Sequence, residues 1–191
     1  METSLSLKTQ LRREVRTRGK LLSAALRDQH SQEIMRLLED LPVFQRAHVV
    51  LIYAALPDEV QTAKFLQRWH GKKQLLLPVV VGNDLELRIF AGAESLSPGS
   101  FGILEPTEQH AFTDFSAIDL AVIPGVAFTP DGKRLGRGKG FYDRLLSHPA
   151  FRHVYKVGVA LPHQIVSHLP TAPHDIPLDL VLTTSSDTSA S

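Results

Sequence analysis

One short segment of the sequence concentrates the residue types that bind phosphate. Residues 134–143 read RLGRGKGFYD, so that three glycines alternate with Arg137 and Lys139. Glycine lets successive backbone N–H groups turn toward one side of a loop, where they form an anion-binding nest. The two cations add charge to that nest, and a helix that begins near Gly140 directs its positive dipole end to the same place. The segment is therefore a candidate phosphate site.

The place of this loop in the predicted order of elements favours a ligand-binding role. The loop follows a predicted strand at 119–124 and precedes a predicted helix at 140–146, which is where open α/β sheets bind ligands. It lacks the Gly-Lys-Ser/Thr of a Walker loop, and its glycine spacing differs from the dinucleotide fingerprint. A flexible basic loop and a nucleic-acid contact remain alternative interpretations of the same residues.

Three acidic residues are candidates for a metal site beside bound phosphates. Asp143 lies on the first turn of the predicted helix, where it either caps the helix or reaches the phosphates through Mg²⁺. Asp175 lies in the loop that leads into the last predicted strand and Asp179 at the start of that strand, and each is either a further ligand or an ordinary turn residue. The nine histidines show no paired metal-ligand spacing, and no Gly-x-Ser-x-Gly motif supports serine acyl-transfer chemistry.

Two further polar groups allow both a functional and a structural interpretation. Lys8 and Arg12 lie four residues apart on one face of the first predicted helix, a geometry suited to two oxygens of a polyphosphate. Exposed basic residues on helices are, however, more often simply solvated. Glu59 follows the first predicted strand, where it either begins the next helix or accepts hydrogen bonds from a nitrogen-rich heterocycle.

The elements that must position these residues follow an alternating pattern. Apolar residues with helical spacing cover residues 5–40, with a break predicted near Asp28. Short apolar runs suit strands buried on both faces, and helical patterns alternate with them, which predicts an α/β fold with a mostly parallel sheet. The strand runs cover 48–55, 74–81, 119–124, 156–161 and 178–182, and the helical patterns cover 62–70 and 140–146.

The remaining segments complete the predicted organisation. Residues 85–90 alternate polar and apolar positions, which predicts an edge strand or hairpin, and residues 91–106 are expected to form a long loop beside the site. The Ser/Thr-rich tail at 183–191 is expected to fray. We find no internal repeat and no domain boundary, so residues 1–191 are predicted to form a single domain.

Composition excludes several classes of protein. The 191 residues are 43% hydrophobic and 21% charged with a net charge of +1, which argues against a disordered chain and a basic nucleic-acid coat. The chain has no cysteine, which excludes disulfides, thiolate metal sites and cysteine nucleophiles. The longest apolar run, 75–81, is too short for a membrane helix. We interpret the basic N-terminal helix as an ordinary amphipathic helix and not as an organelle presequence.

Taken in order, these segments resemble the 5-formyltetrahydrofolate cyclo-ligase family, also called 5,10-methenyltetrahydrofolate synthetases. The resemblance covers nearly the whole chain, and RLGRGKGFYD is its most specific part. The resemblance implies a single-domain, three-layer α/β sandwich with a mostly parallel central sheet. The weaker matching segments are KTQLR at 8–12, DEVQT at 58–62, FGILEP at 101–106, residues 119–133, Gln164, Leu169-Pro170, His174-Asp175 and Asp179.

The resemblance also implies an activity, its cofactors and a set of site residues. The implied reaction is the ATP- and Mg²⁺-dependent cyclisation of 5-formyltetrahydrofolate to 5,10-methenyltetrahydrofolate through an imidoyl phosphate, with ADP and phosphate released. The implied ATP-binding residues are Lys8, Arg12, Arg134, Leu135, Gly136, Arg137, Gly138, Lys139, Gly140, Phe141 and Tyr142. The implied substrate-binding residues are Ala54, Glu59, Arg137, Gly138, Lys139, Gly140 and Phe141. Asp143 and Asp175 are the implied metal ligands, and Arg137 and Lys139 the implied catalytic residues.

Three positions depart from the family pattern. Phe141 stands where tyrosine is common, Gln61 where aspartate is common, and Thr129-Pro130 where an acidic residue is frequent. Phe141 keeps a stacking face but has no hydroxyl to donate.

The resemblance also implies partners and a location. The implied partners are small molecules, with the folate either free or polyglutamylated, and no nucleic-acid or membrane partner is implied. The implied location is the cytoplasm. The sequence leaves the oligomeric state open.

Two competing functions use the same cations. A small nucleic-acid-binding protein would place Arg12, Arg13, Arg16 and the loop at 137–139 along a phosphate backbone, but the low net charge and 7% aromatic content argue against it. A sugar-phosphate isomerase would use the phosphate loop without ATP. It would also need a general base, which no residue in the sequence identifies.

Overall fold

The helices and strands are those of a computed structural model, which describes residues 4–107, 110–170, 172 and 175–185. The helices in these ranges are α1 (Ser4–Gly19), α2 (Ala24–Glu39), α3 (Pro42–Arg46), α4 (Ala63–Trp69) and α5 (Phe141–Ser147). The strands are β1 (Val49–Leu51), β2 (Gln74–Val81), β3 (Asp84–Ile89), β4 (Leu96–Pro98), β5 (Leu104–Pro106), β6 (Leu120–Ile123), β7 (Ala127–Phe128), β8 (Arg134–Leu135), β9 (Tyr155–Val159) and β10 (Leu180–Leu182).

Six of these strands form a central sheet in the order β10-β9-β6-β1-β2-β3. The first five run parallel, and Val50 of β1 lies between Leu75 of β2 and Leu120 of β6. β3 pairs antiparallel with β2 and closes one edge of the sheet as a hairpin. The predicted mostly parallel α/β sheet with an edge hairpin is therefore confirmed.

Helices cover both faces of this sheet, which explains why its strands are almost continuously apolar. Val50 and Ile52 point toward α2, α3 and α4, where Phe44 packs edge-on against Trp69 with ring centroids 4.8 Å apart. Leu51 points to the opposite face, which is covered by α5 and the short 3-10 helix Pro149–Arg152. The order helix, sheet, helix is the three-layer arrangement that the resemblance implied.

α1 packs away from the central sheet, against the small β7-β8 hairpin. Val15 of α1 belongs to an apolar cluster with Val126, Ala127 and Leu135. Because β8 leads directly into the glycine-rich loop, this packing places the basic face of α1 beside that loop. Among the described residues, no helix is both long and apolar enough to cross a membrane.

The break between the first two helices lies earlier than predicted near Asp28. α1 ends at Gly19 and α2 begins after Ser23, whose side chain accepts a hydrogen bond of 3.2 Å from the Leu26 N–H. Asp28 lies inside α2 and forms an ion pair of 2.8 Å with Lys64. The capping serine, which apolar spacing does not register, marks the true start of the helix.

Other boundaries also differ from the predictions. The expected loop at 91–106 contains β4 and β5, which pair antiparallel. The predicted strand at 48–55 is paired only over β1, because residues after 52 leave the sheet and turn toward the cavity described below. Pro173, His174 and the part of the predicted frayed tail at 186–191 lie outside the described residues.

Candidate active site

A cavity of about 780 Å³ opens at the carboxyl ends of β1 and β6. β2 lies on one side of β1 and β6 on the other, so this point is where the connections of the sheet reverse direction. Tyr53 and Ala54 follow β1, and Pro124 and Gly125 follow β6, and all four line the cavity. The cavity thus occupies the position where open α/β sheets bind ligands.

The cavity gathers all but one of the candidate site residues that the sequence or the resemblance indicated and that the structure describes. It is lined by Lys8, Arg12, Ala54, Glu59, all residues from Arg134 to Asp143, and Asp175. These residues come from α1, the segment after β1, β8 with the loop that follows it, the first turn of α5, and the segment before β10. Asp179 is the exception. Its carboxylate accepts a 2.7 Å hydrogen bond from the Lys156 N–H, so it holds the start of β9, and it does not line the cavity.

The glycine-rich loop, which we define as residues 136–140, is fixed at both of its ends by arginines. Arg12 Nε donates to the Gly136 carbonyl at 2.8 Å, and Arg144 Nη1 donates to the Lys139 carbonyl at 3.0 Å. Gly138 and Gly140 have φ values of 105° and 70°, a region that side-chain-bearing residues rarely adopt. The turn therefore depends on glycine at both positions.

Arg134 lies beneath the loop and is almost fully buried. Its side chain is 3% exposed, and Nη2 forms an ion pair of 2.7 Å with Asp143. Nη1 donates to the Pro124 carbonyl at 3.3 Å, and the guanidinium lies 5.6 Å from the Tyr142 ring centroid. Burial is the main cause that raises the pKa of the Tyr142 hydroxyl, with the Glu59 charge adding to it. Arg134 thus ties the carboxyl end of β6 to α5.

Arg137 extends from the loop across the cavity to the segment after β1. Its Nε and Nη2 contact Glu59 Oε1 at 3.1 and 2.9 Å, and Nη2 also contacts Asp58 Oδ1 at 2.5 Å. Burial lowers the pKa of the guanidinium, but the two carboxylates outweigh that effect and raise it overall. The Arg137 side chain remains 32% exposed.

Glu59 is the buried carboxylate of the cavity, with only 8% of its side chain exposed. Its Oε2 accepts the Leu56 N–H at 3.0 Å, while Oε1 faces Arg137. Burial raises the pKa of Glu59, and the charge of Arg137 opposes that rise without cancelling it. A carboxylate with one oxygen bound to backbone and the other to a movable cation can accept hydrogen bonds from a ligand.

Gln61 supports the segment that carries Glu59, a role that the sequence did not indicate. Its Nε2 donates to the carbonyls of Leu56 and Glu59, both at 2.8 Å. An ionised aspartate, the residue common in the family at this position, has no N–H to donate. Gln61 therefore holds this turn by two hydrogen bonds that an ionised aspartate could not donate.

The N-terminal helix α1 contributes two cations, Lys8 and Arg12, to the lining of the cavity. Lys8 Nζ pairs with Asp175 Oδ2 at 2.7 Å, and the same oxygen accepts the Ala172 N–H at 2.7 Å. Burial and the neighbouring Arg16 lower the pKa of Arg12, which leaves it a strong cation all the same. The stand-alone interpretation of Lys8 and Arg12 as solvated surface residues is wrong, because both side chains face the cavity.

Lys139 is the exposed cation of the glycine-rich loop, and it lines the cavity. In the part of the chain that the structure describes, its ammonium group makes no hydrogen bond or ion pair, whereas Arg134 and Arg137 are both paired. An unpaired ammonium beside a cavity is available to an anionic ligand.

An apolar wall, absent from the sequence predictions, completes the cavity. It is formed by Pro78 and Val80 of β2, Leu85 of β3, and Ile103. Pro78 and Val80 are two residues apart, so they share one face of the strand. A run that is apolar at nearly every position, however, does not show which of its two faces borders a cavity.

The two implied metal ligands share the cavity without forming a ready-made metal site. Asp143 and Asp175 both line it, each already paired with a cation. Among the described residues, no three His, Cys, Asp or Glu side chains are grouped closely enough to hold an ion. Mg²⁺ commonly takes only one or two carboxylates and completes its shell with water and phosphate oxygens, so this donor set fits an ion that arrives with a nucleotide.

Comparisons with known proteins converge on one family. Residues 5–184 match the model described as the 5-formyltetrahydrofolate cyclo-ligase family. The 5-formyltetrahydrofolate cyclo-ligase of Escherichia coli K12 is 31% identical over 177 residues, covering 90% of this chain and 97% of the relative. The Haemophilus influenzae protein of the same name is 30% identical, covering 88% and 93%. The NMR structure of Aquifex aeolicus 5,10-methenyltetrahydrofolate synthetase superposes with a TM-score of 0.80 and 36% identity, covering 93% of this chain and 89% of that one.

Proposed function

The chain belongs to the 5-formyltetrahydrofolate cyclo-ligase family, and from this premise we propose that it cyclises 5-formyltetrahydrofolate to 5,10-methenyltetrahydrofolate with consumption of ATP. The observation that carries the proposal is one cavity that joins a cationic glycine loop to a buried carboxylate. The loop suits a polyphosphate, and the carboxylate suits the N–H groups of a pterin ring.

The chemistry of the proposed reaction requires phosphoryl transfer. The formyl oxygen attacks the γ-phosphorus of ATP, the bond from that phosphorus to the β-γ bridging oxygen breaks, and ADP leaves. The N10 amine then adds to the activated carbon of the imidoyl phosphate, loses its proton, and expels phosphate with the original formyl oxygen. Such a sequence depends on positioned cations and needs no covalent protein nucleophile, in keeping with the cavity lining.

Each cation of the cavity has a proposed task. Lys8, Arg12 and residues 134–142 hold ATP, with the N–H groups of the glycine loop facing the phosphates. Arg137 and Lys139 stabilise the negative charge that develops on the transferring phosphoryl group, which makes them the proposed catalytic residues. Arg134 acts from below by fixing the start of the loop.

Asp143 and Asp175 are the residues that would hold Mg²⁺. When bound, the ion neutralises charge on the phosphoryl oxygens. In the structure Asp143 pairs with Arg134 and Asp175 pairs with Lys8, and both carboxylate residues line the cavity.

The folate lies opposite the phosphates in the proposed complex. Glu59 accepts hydrogen bonds from the pterin, Ala54 lines the pocket beside it, and residues 137–141 contact the formyl end. The apolar wall suits an aromatic ring, and Phe141 adds a stacking face. We expect the protein to act on the free or polyglutamylated folate in the cytoplasm, with no nucleic-acid or membrane partner.

The test follows formation of 5,10-methenyltetrahydrofolate by absorbance, with ATP and Mg²⁺ each present or omitted. We expect product only in the complete mixture. Product without ATP, or none from folded protein in the complete mixture, would contradict the proposal.

A pair of variants assigns the activity to the loop. Lys139→Ala removes the exposed cation, and we expect kcat/KM to fall about 100-fold with no loss of stability. Lys133→Ala is the matched control, since Lys133 pairs with Asp131 at 2.9 Å and does not line the cavity. Equal activity in the two variants would remove the loop from the mechanism.

A further inference from the structure

Within the described part of the chain, the buried charge of Glu59 is balanced by one residue. Glu59 is 8% exposed, and Arg137 is the cation that neutralises it among the residues the structure describes. Both Arg137 contacts go to Oε1, at 3.1 and 2.9 Å, while Oε2 is committed to the Leu56 N–H. Removing one partner from a buried ion pair is strongly unfavourable, because the remaining charge is left uncompensated.

Arg137 also belongs to the glycine loop, where a polyphosphate would compete for it. Its Nε and Nη2, the two donors that contact Glu59, form one edge of the guanidinium, and such an edge can instead pair with two oxygens of a phosphate. A guanidinium that turns toward phosphate therefore leaves the Glu59 carboxylate without its counter-charge. Something else must then supply hydrogen bonds to Glu59 Oε1.

We propose that Arg137 is shared between two subsites, and that N–H donors of the folate ring at Glu59 release it to the polyphosphate. This inference rests on the proposed function. Its consequence is that nucleotide and folate strengthen each other's binding by the same factor, since such coupling is reciprocal.

Asp58 is the positioning residue that sets how firmly Arg137 is held. Its Oδ1 contacts Arg137 Nη2 at 2.5 Å, but half of its side chain is exposed. Water can solvate this carboxylate once Arg137 leaves, so Asp58 biases Arg137 toward the ligand-free position without blocking its release. Weakening Asp58 should make Arg137 available to phosphate before any folate binds.

Calorimetry with the full-length protein tests this coupling. The nucleotide is β,γ-methylene-ATP with Mg²⁺, titrated with and without saturating 5-formyltetrahydrofolate, and the coupling factor is the ratio of the two Kd values. We expect the wild type to show a factor of at least about 5. Asp58→Asn should bind the nucleotide alone about 3-fold more tightly and lower the coupling factor by the same ratio, because Glu59 still holds Arg137.

A matched variant separates this effect from a general change in charge. Glu105 lines the same cavity and accepts a hydrogen bond of 3.2 Å from the Ser100 N–H, without contacting Arg137. Glu105→Gln therefore removes the same charge, and it should leave the coupling factor at the wild-type value. An equal loss of coupling in Asp58→Asn and Glu105→Gln would overturn the proposal.

The remaining outcomes distinguish this inference from the proposed function. A wild-type coupling factor of one, with both ligands bound and methenyl product formed from ATP, would overturn the sharing of Arg137 alone. Failure of 5-formyltetrahydrofolate to bind, together with no product, would overturn both.

Discussion

Arg134 and Arg137 are three residues apart in one basic segment, yet the fold uses them in opposite ways. The side chain of Arg134 is 3% exposed, and its guanidinium forms an ion pair with Asp143 and a hydrogen bond to the Pro124 carbonyl. The side chain of Arg137 is 32% exposed and crosses the cavity to Glu59 and Asp58, residues of a separate segment. Arg134 is therefore a buried residue that supports the loop, whereas Arg137 is a partly exposed residue that faces the cavity.

The difference shows that charge alone does not identify a functional arginine. The burial of Arg134 makes its ion pair costly to break, so we assign it to the architecture of the site. Arg137 keeps contact with water and can exchange one anionic partner for another at small cost. In the proposed reaction, only a cation like Arg137 can move to stabilise negative charge that develops on a different group.

The largest expected effect comes from Arg137→Ala. We expect kcat to fall about 100-fold, because a cation aimed at the transferring phosphoryl group is lost. Stability at neutral pH should also fall, by about 2 kcal/mol, because the buried Glu59 carboxylate loses its counter-charge. Steady-state kinetics and urea unfolding measure the two quantities on the same samples. Activity within a few-fold of wild type would place Arg137 with Arg134 as an architectural residue.

Arg134→Met should destabilise the fold by a similar amount, with a much smaller fall in kcat. We expect the free energy of unfolding to fall by about 2 kcal/mol, because Asp143 loses its buried partner while retaining some contact with water. The double variant Arg134→Met with Asp143→Leu should regain most of that stability, but its activity should fall further because Asp143 is a proposed metal ligand. Urea unfolding and steady-state kinetics test this, and an equal loss of kcat in Arg134→Met and Arg137→Ala would end the distinction between the two arginines.

The smallest expected effect is a pH dependence that originates in Glu59. Burial raises the pKa of this carboxyl above its ordinary value of 4.5, against the charge of Arg137. The folded state therefore binds the proton more tightly, and the stability that Glu59 contributes is present below pH 4.5 and lost as the pH rises through the raised pKa.

We therefore expect the stability of the wild type, relative to Glu59→Gln, to fall as the pH rises through that window. The fall should be larger in an Arg137→Ala background, where burial acts on Glu59 unopposed. Urea unfolding from about pH 4 to about pH 8 measures both differences. A relative stability that increases with pH would contradict the assigned direction.

Local patterns predicted much of this fold, because they record burial directly. The run at 74–81 coincides with β2, and the predicted helix at 140–146 lies within one residue of α5. Boundaries set by single side chains were harder to predict. Ser23 caps α2 outside the apolar pattern, and the short paired length of β1 depends on its neighbours in the sheet.

Sequence patterns indicated most of the polar residues that line the cavity, but not the contacts between them. Glycine and cation types marked the loop at 136–140, and positions next to predicted strands marked Glu59 and Asp175, for which the resemblance then implied roles. No sequence pattern distinguishes the buried Arg134 from the exchangeable Arg137, because each contact joins residues distant in the chain. The roles of Gln61 and the apolar wall emerge only when separate segments are brought to one cavity.

The most direct measurement follows the fate of the formyl oxygen. Substrate carrying heavy oxygen in the formyl group is converted with ATP and Mg²⁺, and the released phosphate is analysed by mass spectrometry. The proposed transfer of the γ-phosphoryl group to that oxygen predicts one heavy oxygen in each phosphate formed. Phosphate without the label, accompanied by full conversion to the methenyl product, would contradict it.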